Sequence, residues 1–191
     1  MFGRWFGKKP PTLERQLQDL AACGVHLLPD ATPETLLREW SEQDFEKDPY
    51  ELALVALGGD DPPLAENVWH FDTECIEDHG AYAQIAERMR SLAADALPIT
   101  NIEDFVDVQA GDAWLSFELD GTQHRWTCEV QDDWVDPTVL SRFAQLLAER
   151  KTGYRFTYLD LRGQDCLIGC FRDDELTRLR RATGLAWEWL K

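Results

Sequence analysis

No run of apolar residues in this chain approaches the ~20 that a membrane-spanning helix needs, so no membrane span is expected. Nor does it contain a Cys-x-x-Cys pair, which removes the zinc-ribbon class. The phosphate-cradling patterns G-x-x-x-x-G-K-[ST] and G-x-G-x-x-G are missing, as are H-E-x-x-H and G-x-S-x-G. No cofactor is therefore expected. Positive charge is scarce: 19 Lys and Arg stand against 36 Asp and Glu, a formal net charge of −17. Nucleic acids and anionic membranes are read by clustered cations, so both are disfavoured as partners. An acidic surface suits a basic protein instead, whose approach it would steer. The five cysteines are odd in number and scattered. They read as reduced thiols of a cytoplasmic protein rather than a disulfide framework. Met1 to Pro11 carries three aromatics and three cations but no apolar core of a signal peptide. It is expected to be a loose basic and aromatic terminus.

What is present is globular in character, with 44% hydrophobic and 29% charged residues over 191 positions. Residues 12–191 are expected to form a single α+β domain. A helical part over 12–59 would be followed by a mostly antiparallel sheet with packed helices over 67–191. Thr12 caps a predicted helix that stops at Gly24. Thr32-Pro33 opens a second, with Leu36, Leu37 and Trp40 on its apolar side. Asp48 to Glu51 has the spacing of a capping box ahead of a short buried element that ends at Gly58-Gly59. GGDDPPLAE, residues 58–66, reads as a long loop. Tyr82, Ile85, Ala86, Met89 and Leu92 recur at helical spacing. Asp120-Gly121 between alternating runs signals a hairpin whose strands would bury Trp114 and Trp126. Asp136-Pro137 opens another helix. A second hairpin, Arg155 to Leu161 with Cys166 to Phe171, precedes a last helix and a tail rich in tryptophan.

The densest chemistry lies in Trp69 to Gly80. On a strand, His70, Asp72 and Glu74 would share one face. With His79 they suit a transition metal, which would make a metal-dependent enzyme. The plainer alternative is a strand-to-helix junction, with Glu77 and Asp78 favouring the helix start through its dipole. Cys75 and His79, four apart, would share a face if helical, and Cys166 beside a turn is a second candidate thiol. Acidic surroundings raise a thiol pKa and count against both. Asp132-Asp133-Trp134-Val135-Asp136 offers carboxylates for a magnesium or glycosidase-like loop, although Asp136 already serves as a helix cap. Finally, Trp40, Trp134, Trp187 and Trp189 sit beside acids. Aromatics ringed by acids suit recognition of a cationic partner.

In its acidity, its lack of catalytic signatures and its acid-flanked aromatics at Asp132-Asp133-Trp134, the chain resembles bacterial polymorphic-toxin immunity proteins. The resemblance is one of character and matches no motif residue by residue. It implies a small cytoplasmic protein without catalysis that occludes a cognate toxin, often a nuclease, with carboxylates standing in for phosphates. Asp132, Asp133 and Trp134, with Glu77 and Asp78, are the expected partner-binding residues. A metal-dependent enzyme using His70, Asp72, Glu74 and His79 is the alternative, and an accessory subunit of a larger assembly is a third reading.

Overall fold

A computed structural model describes residues 9–59 and 62–191. Most of the basic N-terminal segment, Met1 to Lys8, and Asp60-Asp61 of the 58–66 loop lie outside the described residues. The fold is α+β: N-terminal helices precede two antiparallel sheets. None of the described helices is long and apolar enough to cross a membrane.

Helix α1, Leu13–Cys23, begins where Thr12 Oγ1 accepts the Arg15 N–H and ends at Gly24. Its inner stripe carries a polar residue as well. Gln16 is fully buried, and its Nε2 donates to the carbonyls of Pro11 at 3.0 Å and Phe45 at 2.9 Å. Its Oε1 accepts from Tyr50 N at 2.8 Å. A buried amide with each of its groups engaged pins three chain segments together.

Two expectations fail in this region. The helix opened by Thr32-Pro33 is one turn, α2, Pro33–Leu36, and Leu37 is exposed. It stops at Leu37, and Ser41 then adopts an extended backbone and forms a reciprocal capping box with Asp44, which starts α3, Glu42–Lys47. Asp48 does not cap α4, Glu51–Leu57, either. Tyr50 takes the cap position with φ 68°, held there by Gln16, so tertiary contact overrides the local signal.

The remaining elements are β1 (Val68–Asp72), α5 (Ala81–Ala93), β2 (Thr100–Asp107), β3 (Asp112–Leu119), β4 (Thr122–Cys128), α6 (Pro137–Glu149), β5 (Tyr154–Asp160), β6 (Asp165–Arg172), α7 (Asp173–Thr183) and β7 (Glu188–Trp189). The central sheet runs β1-β6-β5-β7, antiparallel throughout. Both of its faces are covered. Val68, Leu159, Leu167 and Phe171 pack with residues of α1, α4 and α7. Trp69, Phe71, Phe156, Ile168 and Cys170 pack with α5, α6 and the second sheet. A strand buried on both faces reads as a continuous apolar run, which is why Cys166 to Phe171 shows no alternation. The helical part thus shares a core with the central sheet. Gly58 makes that approach possible: a Cβ there would lie 2.6 Å from His70 N, and the Gly58 carbonyl accepts that N–H at 2.8 Å.

The second sheet, β2-β3-β4, is turned by Asp120 (φ 50°) and Gly121 (φ 76°), as a type I′ turn requires. Leu115 and Phe117 face inward. Trp114 therefore faces outward, against expectation, because side chains alternate along a strand. It is half-buried, covered by the Arg125 guanidinium 3.8 Å from its ring. The expected role of Glu77 and Asp78 at the start of α5 is also corrected. Gly80 occupies the cap and has no side chain, so Asp104 of β2 caps from outside the helix. Its two carboxylate oxygens accept from Gly80 N at 2.7 Å and Ala83 N at 3.1 Å. Glu77 and Asp78 stay exposed.

Candidate protein-interaction site

Strand β1 ends at Asp72, whose Oδ1 accepts from Glu74 N at 2.8 Å. Such a side-chain bond forms a local turn at the end of the strand. Thr73 then binds the Gln164 carbonyl through both its N–H (3.0 Å) and its hydroxyl (2.7 Å). Across from this segment runs 131–136. Val135 N donates to the Thr73 carbonyl at 2.9 Å, and Ile76 N donates to the Asp133 carbonyl at 2.8 Å. Glu74 and Trp134 face each other as an isolated antiparallel bridge.

The 131–136 segment is itself anchored at its far end. Asp136 is buried, and its carboxylate accepts from Thr138 N at 2.8 Å and Glu129 N at 2.9 Å. Its own N–H donates to the Tyr82 hydroxyl at 3.1 Å. At the near end, Trp134 N donates to the Gln131 carbonyl at 3.1 Å across a tight turn. Asp132 sits there with φ 58°, a left-handed conformation that Asp tolerates better than most residues. The tip of this turn points to solvent.

The paired loops bring together the five residues expected to bind a partner. Asp132, Asp133, Glu77 and Asp78 are exposed, Glu74 is half-buried beside them, and Trp134 is 41% exposed. Among the described large hydrophobic residues only Leu37 matches Trp134 in exposure. Asp72 extends the acidic surface to the β5–β6 turn, where Gln164 Nε2 reaches its carboxylate at 3.1 Å. Asp165 is paired with Asp72 in register, and Asp160 lies opposite Cys166. These last two acids were not anticipated. Some ninety residues separate them from Asp72; the β1–β6 pairing brings Asp165 beside it, and the β5–β6 pairing brings Asp160 to the same end of the sheet.

The four candidate metal ligands do not form a ligand set. His70 Nε2 lies 3.3 Å from Asp165 Oδ1. His79 turns toward β2, where its Nδ1 accepts from Val106 N at 2.9 Å and its ring lies tilted against Phe105, centroids 4.9 Å apart. Asp72 is engaged by Glu74 N and Gln164. Glu74 lies beyond the end of β1 and so does not continue its polar face. Among the described residues, no three His, Cys, Asp or Glu side chains are grouped to hold a metal ion.

The thiols are poor nucleophiles. Cys75 and His79 do not share a helix face, since 73–79 is not helical. Burial, then Asp72 and Asp133, push the Cys75 thiol up to about 11. Cys166 is buried rather than exposed at the turn, and burial chiefly drives it to about 12. Cys128 and Cys170 are likewise raised to about 12 by burial. A thiol held this high stays protonated near neutral pH and cannot attack as thiolate.

Of the acid-flanked tryptophans, Trp187 is in the core at 1% exposure, and Trp189 lies under the Arg155 guanidinium at 4.2 Å. Trp40 is half-buried against Phe45. Trp134 alone of the four is exposed. Comparison with family models, with curated proteins and with solved structures finds no match for this chain.

Proposed function

We propose that the chain is a protein-binding domain that takes a basic partner on the face around Trp134. The observation carrying this reading is the pairing of two remote loops, which sets exposed Trp134 opposite Glu74 and lays the segment leading to exposed Glu77 and Asp78 alongside the one carrying exposed Asp132 and Asp133. An exposed aromatic supplies apolar contact area, and the ring of carboxylates supplies steering and orientation toward cations. The net charge of −17 acts in the same direction. Among the described residues, His70, Asp72, Glu74 and His79 do not group to hold a metal and burial raises the Cys75 thiol, which favours the binding reading over the enzyme alternative.

The most specific form of this reading is a cytoplasmic immunity protein that occludes the basic active site of a toxin, such as a nuclease. The carboxylates of Asp132 and Asp133 would then occupy positions that substrate phosphates otherwise fill. Co-expression with a basic nuclease toxin domain encoded beside this chain tests it. Protection and co-purification are expected, with affinity falling steeply as salt is raised. Asp132→Lys with Asp133→Lys should abolish protection while leaving thermal unfolding unchanged. If binding and its salt dependence survive charge reversal at all five acids, the face is not the interface.

A further inference from the structure

The segment carrying Glu77 and Asp78 is held by a backbone donor at each end. Ile76 N donates to the Asp133 carbonyl at 2.8 Å, and Gly80 N donates to Asp104 Oδ1 at 2.7 Å. Between these ends His79 ties the segment to β2, because its Nδ1 accepts from Val106 N at 2.9 Å. A backbone amide can only donate. The His79 ring is therefore neutral in this arrangement, with its proton on Nε2. Its side chain is 57% exposed, so a proton from solvent reaches it.

A second partner stands beside the same nitrogen. Asp78 Oδ1 lies 3.7 Å from Nδ1 and accepts from His79 N at 2.6 Å. A proton added at Nδ1 removes the lone pair that holds the Val106 amide. It also creates a donor that the Asp78 carboxylate can receive. One atom thus chooses between two partners, and its charge decides which. The charged groups around it are mostly acids: Glu77 and Asp78 on its own segment, Asp104 and Asp107 flanking Val106 along β2, and Asp112 of β3 opposite Asp107. The first turn of α5 carries no carboxylate or cation, and its Tyr82 hydroxyl is turned to Asp136 N. Phe105 lies against the imidazole, and Arg125 of β4 covers Trp114 beyond it.

We infer that His79 is a proton-operated clasp that sets the charge and placement of the Glu77-Asp78 end of the Trp134 face. With the ring neutral, Val106 holds the segment on β2 and both carboxylates are left for a partner. With the ring protonated, the Val106 bond is lost, Asp78 pairs with the imidazolium and a positive charge joins the acidic face. A basic partner is then bound less tightly in mild acid than at neutral pH. This regulation rests on the proposed basic-partner face, whereas the clasp itself does not.

Nitrogen-15 NMR of the full chain from about pH 8 to about pH 5, where imidazoles ordinarily titrate, follows the His79 ring and the Val106 amide together. The amide should shift with the His79 midpoint. Its exchange protection, corrected for the intrinsic rate, should fall about tenfold once the ring is charged, as loss of one hydrogen bond predicts. His79→Asn keeps an acceptor near the Nδ1 position and cannot be protonated, so Val106 should stay protected throughout. His79→Ala has no acceptor, and Val106 should be poorly protected throughout. Rhodamine-labelled hexalysine, followed by fluorescence anisotropy at low salt, should bind about threefold more weakly at about pH 5.5 than at about pH 7.5, the effect of one exposed charge. His79→Asn should remove most of that difference, and His26→Asn, at an exposed histidine elsewhere, should keep it. A Val106 amide that ignores the His79 titration overturns the clasp, and a pH dependence of binding that survives His79→Asn overturns the regulation. Asp132→Lys with Asp133→Lys tests the face apart from both. If that pair leaves hexalysine binding at neutral pH unchanged, the face reading and the regulation built on it fall, and the Val106 amide alone decides the clasp.

Discussion

Asp132-Asp133-Trp134 and Trp187-Glu188-Trp189 are made of the same residue types, and the molecule uses them in opposite ways. The second belongs to a tail that pairs with β5, where Thr157 faces Trp189 and Tyr158 faces Glu188. Pairing with a central sheet imposes alternation, and the sheet's helical face draws Trp187 into the core against Phe171 at 5.9 Å. Trp189 lies at the margin of the same cluster. The first belongs to a turn whose inward residues are already chosen. Val135 and Asp136 are buried, so the chain direction leaves Trp134 outside. A tryptophan among acids is thus left to solvent only where no strand partner claims it. Trp40 is the intermediate case, half-buried against Phe45.

The contrast can be broken most forcefully at Trp187. Trp187→Ala should destabilise the fold by about 3–5 kcal/mol, the usual cost of truncating a buried large aromatic, measured by urea denaturation. Its indole N–H meets no acceptor among the described residues, so Trp187→Phe should cost distinctly less. An equal loss for both would show that the N–H matters. Next in size is Asp136→Ala. It removes the acceptor for two backbone N–H groups and should cost about 2 kcal/mol. It should also loosen the 131–134 turn, read as faster amide exchange at Val135. Trp134→Ala should change stability by less than about 0.5 kcal/mol, as exposed positions do. The same change should weaken binding to a basic partner by about 1–2 kcal/mol, as a contact residue near the centre of an interface does. A large stability loss at Trp134 would erase the distinction drawn between the two tryptophans.

The smallest effect concerns Ser41, beside Trp40. Hydrogen bonds from Ser41 hold the Asp44 carboxyl below its ordinary value of 3.8, and Arg178 does the same chiefly by hydrogen bonding for Asp174. A carboxyl whose folded pKa is depressed contributes stability above its unfolded pKa, and loses it as pH falls through the folded value. The contribution is therefore present at neutral pH and lost in acid below 3.8. Ser41→Ala should return the Asp44 titration, followed by carboxyl carbon NMR, toward 3.8. It should also narrow the stability difference between neutral and acid pH. An Asp44 titration unchanged by this substitution would show that the capping box is not what holds the carboxyl down.

Much of the fold was legible because local chemistry and tertiary demand agree there. The Asp120-Gly121 hairpin, the Thr12 and Asp136 caps and the amphipathic pattern of 82–92 each depend on neighbours a few residues away. Where they disagree, tertiary contact wins. Gln16 reaches across from α1 to set the start of α4, and Asp104 caps α5 from a strand that follows it. Neither has a signature near the element it controls. The site was legible in its parts, since the five partner-binding candidates were named from their residue types. Their adjacency was not, because Thr73 to Ile76 and Asp133 to Val135 lie some sixty residues apart and meet through backbone hydrogen bonds that any side chains would allow. The histidine and carboxylate cluster shows the converse. Nearness in sequence there is undone by the end of β1 at Asp72 and a turn of His79 toward β2.

The sequence by itself determined the class of the fold, the strong negative charge and the residues able to act, because composition and short-range periodicity carry that information. Only the tertiary structure decided which of four acid-flanked tryptophans faces solvent. It also decided which acidic segment runs alongside that one. Those outcomes depend on which strands pair and on which face each pairing buries, and that is a property of the whole chain.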